Sequence, residues 1–143
     1  MKKDIIIKAI KYPTIKELND IKRIYKEAGW WRDKDSIKKI ESIVNKTHLF
    51  AVAILNGTII GMARVISDQV SDAYIQDFAV LKRYRNIGIG TEILRFIIKF
   101  LKKNKFDWIG LIARKRAVSL YRKSGFKIYP DKIPMVYYGT KKN

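Results

Sequence analysis

The chain has 143 residues, 48% of them apolar, and no apolar run approaches the roughly 18 residues of a membrane span, so we expect one cytoplasmic domain over residues 1–143. It has no cysteine, which excludes disulfide bonds, thiolate zinc sites and cysteine nucleophiles, and its one histidine, His48, cannot build a metal site alone. Its 31 basic and 13 acidic residues give a net charge of +18, a field that attracts polyanions such as nucleic acid and also smaller phosphate-bearing ligands.

The N-terminal part of the sequence predicts a strand followed by a helix. Residues 4–10 are rich in strand-forming side chains. Thr14, followed three positions later by Glu17, is a capping box, and apolar residues then recur at helical spacing. Gly29 is predicted to end this helix, because glycine readily takes the left-handed conformation found there.

Two adjacent tryptophans, Trp30 and Trp31, follow the first helix and precede a second helix predicted over about residues 35–46. In such a connection they are predicted either to fill the gap between the helices or to form a wall of a substrate pocket.

Three consecutive strands are predicted next. Residues 48–55 and 58–67 are rich in apolar and β-branched residues and are separated by an Asn-Gly pair, a strong signal for a tight hairpin. Arg64 interrupts the second run, where it is expected to face a partner carboxylate or substrate, or to lie exposed. A polar turn leads into a third strand over residues 73–80. These three strands should be antiparallel.

The stretch over residues 80–91 is a strand end, a basic loop and the glycine-rich start of a helix. The first amides of a helix have no carbonyl partner within it and carry the positive end of its dipole, so they can bind phosphate. Gly88 and Gly90 would let a ligand lie against the backbone. The stretch is not a dinucleotide fingerprint, because Ile93 stands where a third glycine would be needed.

The remaining elements follow in order. The helix that begins at the glycine loop should run to about residue 105, and an apolar run over residues 108–113 predicts a buried strand parallel to the preceding one, joined by a right-handed crossover. A helix over residues 116–124 should follow. Further strands are predicted near residues 126–129 and 135–138, with two prolines keeping the intervening loop out of the sheet.

Two motifs resemble those of the GNAT superfamily of N-acetyltransferases. The glycine loop is similar to its acyl-CoA signature, and the later helix to its second motif; they run Arg85-Asn-Ile-Gly88-Ile-Gly90 and Ala117-x-x-Leu120-Tyr121-x-x-x-Gly125-Phe126. Upstream, the segments 29–31 and 63–68 resemble those of a subgroup related to arylalkylamine (serotonin-type) N-acetyltransferases. The resemblance implies an α/β fold of the α+β type, the GNAT fold. It has a mixed, mostly antiparallel sheet of about six to seven strands with strands 4 and 5 splayed apart, flanked by about four helices.

By this resemblance the cosubstrate is acetyl-CoA. The splayed strand would supply backbone contacts to the acyl carbonyl and pantetheine, and the loop with the helix start would hold the diphosphate. The residues implied are Phe78, Ala79, Val80, Arg85, Asn86, Ile87, Gly88, Ile89, Gly90 and Thr91. The family often has an asparagine three residues before the alanine of the second motif, and Arg114 occupies that position here, so that cofactor contact is not expected.

The resemblance also implies catalytic residues. Tyr121 matches the family's frequent general acid near the thioester sulfur. No general base is evident: Asp77 is the first candidate, Asp72 and Tyr74 follow, and ordered water is an alternative. Trp30, Trp31 and Arg64 are the candidates for acceptor binding.

The sequence therefore predicts an acetyl-CoA-dependent N-acetyltransferase that acetylates a small-molecule or peptide amine directly, without a covalent enzyme intermediate. The alternative from another class is a non-catalytic basic module of the same fold that binds nucleic acid or an acidic protein. Nucleic acid is the less favoured partner for the enzyme, and a homodimer formed through the end strands stays open.

Overall fold

The computed structural model describes residues 4–139. The chain divides into two compact units, with the boundary after Leu111. Within the described residues, the first unit contains a five-stranded sheet and three α-helices, and the second contains one short α-helix.

The sheet is formed by strands that follow one another in chain order, β1 to β5: Ile5–Ile10, Leu49–Leu55, Thr58–Ser67, Asp72–Val80 and Trp108–Leu111. Neighbouring strands are antiparallel except β4 and β5, which are parallel as predicted. The hairpin between β2 and β3 is also confirmed. Leu55 pairs with Thr58 across Asn56 and Gly57, which have φ values of 50° and 78°. Positive φ at both loop residues is the conformation that Asn-Gly favours.

The prediction of six to seven strands was wrong, because residues 126–129 and 135–138 form no strand in the described part of the chain. These segments have strand-forming side chains, but a strand is stabilised by a hydrogen-bonded neighbour and by burial of one face. Here the apolar side chains are exposed, with Ile128 and Met135 at 66% and 89%. Intrinsic preference alone does not hold them in a sheet.

The helices are α1 (Ile15–Glu27), α2 (Ile37–Lys46), α3 (Ile89–Lys103) and α4 (Val118–Lys123). The capping box that starts α1 is present: the Glu17 amide donates to Thr14 Oγ1 at 3.1 Å, and the Thr14 amide donates to Glu17 Oε1 at 2.9 Å. Ser36 caps α2, so this helix begins two residues later than predicted. None of the helices within residues 4–139 is long and apolar enough to cross a membrane.

Two helical layers cover the faces of the sheet in the first unit. A side chain at Gly61 of β3 would meet Ile93 of α3, since a Cβ there would lie 3.0 Å from Ile93 Cδ1. Arg64, three residues further along β3, instead bonds toward α2, where its Nη1 donates to Thr47 Oγ1. Because residues three apart in a strand point to opposite faces, α3 covers one face and α2 the other. Helix α1 also packs against β3, and its Tyr25 lies on the Arg64 side.

Candidate active site

The centre of the candidate site is a β-bulge in β4. Met62 pairs with Ala79 and Arg64 pairs with Gln76, so β4 has one residue more than β3 between these two pairs. Asp77, in this interval, has a φ of 54°, which is uncommon for a residue other than glycine. A bulge disrupts the ladder locally and redirects the neighbouring backbone groups. The bulge therefore lies at the segment where the family resemblance implies contacts to the acyl group.

The Asp77 side chain is held by two donors from different elements. Its Oδ2 accepts from Tyr25 Oη of α1 and from Arg64 Nε of β3, both at 2.7 Å. The Asp77 and Arg64 side chains are only 15% and 17% exposed. Burial, and next the negative charge of Asp77, raise the pKa of Tyr25 well above its usual value, so its hydroxyl stays a donor near neutral pH. We call these three residues the bulge clamp.

The bulge clamp shows which group Arg64 faces. Of the roles expected from the sequence, the structure shows the pairing with a carboxylate, and the partner is Asp77. Asp77 Oδ2 already accepts two strong hydrogen bonds. This favours a role for Asp77 in positioning the bulge over a role in proton abstraction. The sequence gives no sign of the clamp, because its members are far apart in the chain and Tyr25 appears there only as an apolar-face residue of α1.

The edge of β4 beside β5 is paired along part of its length. The parallel ladder runs from Asp72 with Trp108 to Ile75 with Leu111. The rest of β4, residues 76–80, extends beyond the last paired residue of β5. The bulge and the predicted acyl-contact residues lie in this extension.

The glycine loop connects β4 to α3 as predicted. A short 3-10 turn at Lys82–Tyr84 follows Leu81, whose amide donates to Ile60 O at 2.9 Å. Arg85 folds back over the loop, and its Nε donates to Val80 O at 2.8 Å. This bond braces the loop, so the Arg85 side chain has a structural role here in addition to the phosphate contact expected of it.

The start of α3 offers backbone amides to a ligand. Gly88 is the N-cap with a φ of 92° and ψ of 5°, and no side chain caps the helix. Asn86, two residues earlier, also has positive φ, at 64°. In an uncapped first turn the amides of Ile89 and Gly90 point out of the helix at the positive end of its dipole. This geometry suits an anionic oxygen.

The two tryptophans have different surroundings. Trp30 is half-buried with its ring edge-on to Tyr25, at 6.1 Å between centroids, and its amide donates to Tyr25 O. Trp31 is half-buried with Lys22 Nζ at 5.1 Å from its ring centroid. Trp30 thus packs on the bulge clamp through Tyr25, whereas Trp31 faces the outer side of α1.

Tyr121 belongs to the second unit, on α4. It is buried, and its ring lies edge-on to Phe126 at 5.9 Å between centroids. Burial raises the pKa of its hydroxyl. The structure thus brings Asp77, Arg64 and Trp30 together through Tyr25, and the place of Tyr121 beside them stays a prediction.

A cavity of about 360 Å³ lies between α2 and the end of β3. Arg64 lines it, which connects the cavity to the bulge clamp. Its other lining residues were not singled out from the sequence, because lysines on a helix face are usually only solvated. They are Lys39, Ser42, Ile43, Lys46, Thr47, His48, Ile66, Ser67 and Gln69.

The chain is similar to known proteins of one family. The family model for the Acetyltransferase (GNAT) family matches residues 15–126. The uncharacterized N-acetyltransferase ycf52 of Pyropia yezoensis is 26% identical over 125 residues, which are 85% of this chain and 71% of that protein.

Solved structures of similar proteins have the same fold. A GNAT family acetyltransferase from Streptococcus pneumoniae has a TM-score of 0.79 at 23% identity, covering 96% of this chain and 99% of that one, which shows the shared fold. A probable acetyltransferase from meticillin-resistant Staphylococcus aureus has a TM-score of 0.77 at 27% identity, with coverage of 92% and 98%.

Proposed function

Because the chain belongs to the GNAT family of acetyltransferases, we propose that it transfers an acetyl group from acetyl-CoA directly to a primary amine in a ternary complex. The observation that carries the proposal is the uncapped start of α3, which follows a bulged strand through a loop with Gly88 in the left-handed conformation. A covalent acetyl-cysteine intermediate is excluded, since the chain has no cysteine.

The residues present fit acetyl-CoA. We propose that the amides at the start of α3 and the loop from Arg85 to Thr91 hold the diphosphate, and that the backbone of Phe78, Ala79 and Val80 contacts the acyl carbonyl and pantetheine. Both sets of contacts use backbone groups, so they depend on local conformation more than on side-chain identity. The positive φ of Gly88 is one such conformation. When bound, acetyl-CoA supplies the thioester that the amine attacks.

Tyr121 is proposed to hydrogen-bond to the developing thiolate. A tyrosine pKa of about 10 exceeds a thiol pKa of about 8.5, so complete proton transfer to the thiolate is uphill by about 2 kcal/mol. Burial raises the pKa of Tyr121 further, which makes transfer still less favourable and keeps the hydroxyl a donor. We expect Tyr121→Phe to lower kcat at nearly unchanged acetyl-CoA affinity, and an unchanged kcat would remove Tyr121 from the mechanism.

The amine must lose a proton to become a nucleophile. A lysine-like amine has a pKa of about 10.4, so only about one molecule in a few thousand is neutral at pH 7. Asp77 is adjacent to the proposed acyl site, but its Oδ2 is committed to Tyr25 and Arg64. We propose that Asp77 positions the bulge and that water, or Asp72 or Tyr74 on the same strand, receives the proton.

The cofactor site is tested by calorimetric titration with acetyl-CoA. Gly88→Ala places a side chain at a left-handed position at the start of α3, and Gly57→Ala does the same in the β2–β3 hairpin, where a new Cβ would have nothing within 4 Å. Both changes carry a similar backbone strain of about 1–2 kcal/mol. We expect one-site binding that weakens at least about tenfold in Gly88→Ala, or 1.4 kcal/mol, and is unchanged in Gly57→Ala. Absence of binding to the folded wild-type protein would reject the proposed function.

The net charge of +18 also favours a second candidate, a non-catalytic basic module that binds a polyanion. The retained acyl-CoA signature supports the enzyme over this candidate. The two differ in whether acetyl-CoA competes with a bound polyanion for the amides at the start of α3.

A further inference from the structure

The cavity between α2 and the end of β3 has a size suited to a small molecule. Its volume of about 360 Å³ is near the lower end of the range of roughly 300–1,000 Å³ that small-molecule sites occupy. Apolar lining by Ile43 and Ile66 is combined with the hydroxyls of Ser42, Thr47 and Ser67. Such a mixture suits a compact polar ligand more than it suits the surface of another protein.

The lining of the cavity is cationic. Lys39, Lys46 and Arg64 contribute to it, and none of its described lining residues is acidic. Two carboxylates lie near these cations: Asp35 accepts from Lys39 Nζ at 2.7 Å, and Asp77 accepts from Arg64 Nε at the same distance. They reduce the local positive charge without contributing to the lining, which leaves Lys46 as the main uncompensated charge.

The Asp68 carboxylate neighbours the lining in sequence, between Ser67 and Gln69. Its Oδ1 accepts from the amides of Val70, Ser71 and Asp72 at 2.9–3.1 Å. Its charge is thus engaged within its own turn. A cationic ligand would find no carboxylate in the cavity lining, whereas an anionic group would meet Lys46.

The cavity also adjoins the proposed reaction centre. Arg64 lines the cavity and bonds to Asp77 within the bulge. Ile66, another lining residue, is paired with Tyr74 in the ladder between β3 and β4. Directly paired residues of antiparallel strands share a face, so Tyr74 lies on the cavity side of the sheet. A ligand in the cavity would therefore lie against the strand that is proposed to hold the acyl group.

We propose that this cavity binds the acceptor, and that the acceptor is a small primary amine that also bears a carboxylate or a phosphate. The proposal rests on the acetyltransferase function proposed above. It explains how so basic a protein attracts an amine: the anionic group supplies the attraction that the ammonium group lacks. The same cations disfavour a nearby ammonium and so lower the pKa of the amine, which increases the neutral, nucleophilic fraction.

The experiment compares acceptors that share a primary amine and differ in whether they also carry an anionic group. The carboxylate arm uses 4-aminobutyrate, 4-aminobutan-1-ol and 1,4-diaminobutane, and the phosphate arm uses O-phosphoethanolamine and ethanolamine. Free CoA is measured with a thiol reagent, without background from the protein because it has no cysteine. In parallel, the CoA-saturated protein is titrated calorimetrically with the same compounds, which reports binding independently of turnover.

We expect at least one acceptor with an anionic group to exceed its counterpart without one about tenfold or more in kcat/KM and in affinity. Lys46→Gln should reduce this preference about three- to tenfold. Lys38→Gln, which removes the same charge from an exposed position of α2 outside the cavity lining, is the matched control and should leave the preference unchanged.

The outcomes separate the two proposals. If wild-type protein fails to bind acetyl-CoA, the proposed function itself fails. If it binds acetyl-CoA but the acceptors with an anionic group neither react nor bind better than their counterparts without one, the inference about the acceptor is overturned alone. Equal effects of Lys46→Gln and Lys38→Gln would also overturn it. They would show that the overall positive charge of the protein attracts the acceptor, without a specific contribution from the cavity.

Discussion

The bulge clamp makes a sharp prediction for Asp77→Asn. Asparagine keeps the shape of the side chain and an acceptor oxygen for Tyr25 and Arg64, but it removes the negative charge. Hydrogen bonds to charged groups contribute about 1.5–3 kcal/mol each and neutral ones about 1 kcal/mol. With two bonds of 2.7 Å and an Arg64 side chain only 17% exposed, we expect a loss of about 2 kcal/mol in the free energy of unfolding.

The same variant separates positioning from general-base catalysis. If Asp77 positions the bulge, part of the lost free energy appears as misplacement of the acyl-binding backbone, and kcat/KM should fall about tenfold. The pH–rate profile should keep its shape. Removing a general base would instead cost about 10²- to 10⁴-fold and would eliminate the limb on which activity rises with deprotonation of that base.

The assay is CoA release from pH 6 to 9, with urea unfolding of each variant. Tyr25→Phe removes one donor to Asp77 and leaves its charge, so positioning predicts a smaller loss in both stability and kcat/KM. Asp107→Asn, which changes an exposed acid just before β5, is the control. The positioning role would be refuted if Asp77→Asn lowered kcat more than about 100-fold, left stability unchanged and removed the limb of the pH–rate profile.

Two further predictions concern packing and pH. Gly61→Ala should lower stability by about 1–2 kcal/mol because its Cβ would lie 3.0 Å from Ile93 Cδ1, and Ile93→Val, which removes that atom, should recover part of the loss in a double-mutant cycle measured by urea unfolding. His48 has a buried Nδ1 with no described partner, and burial and next Lys11 lower its pKa below the usual 6.5. The neutral form is therefore favoured in the folded state, so stability is full above about pH 6.5 and falls as pH decreases. His48→Gln should flatten this slope below pH 6.5 in unfolding measurements, and an unchanged slope would show that other groups cause it.

Local signals in the sequence predicted the framework of the site well. The capping box of α1, the Asn-Gly hairpin and the loop at Gly88 each depend on a few neighbouring residues, and the structure contains all three. Local chemistry fixes these features because their hydrogen bonds and φ angles are formed within four or five residues.

The features that the sequence did not predict depend on distant residues. The bulge at Asp77 has no glycine to indicate it, and its clamp joins α1, β3 and β4. The bulge interrupts the regular alternation of side chains along β4 near Phe78, and no local pattern in the sequence indicates it. Residues 126–129 and 135–138 show the reverse case, in which local preference for strand is strong but no described neighbour completes a sheet.

The last prediction separates the enzyme from the basic module. A protein of net charge +18 will bind a polynucleotide at low salt whatever its function, so binding alone decides nothing. If the charge serves only as a general field, polynucleotide affinity should fall steeply between 50 and 200 mM salt, and saturating acetyl-CoA should leave it unchanged.

A module that uses the α3 start for nucleic-acid phosphate predicts the opposite, because acetyl-CoA and the polynucleotide would then compete for the same amides. The measurement is a fluorescence titration of a labelled single-stranded oligonucleotide at both salt concentrations, with and without acetyl-CoA, on wild type and Gly88→Ala. Competition that Gly88→Ala abolishes, in a protein that releases no CoA with any amine, would establish the module. Salt-sensitive binding without competition, together with amine-dependent CoA release, leaves the enzyme as the function and the charge as its means of attracting anionic substrates.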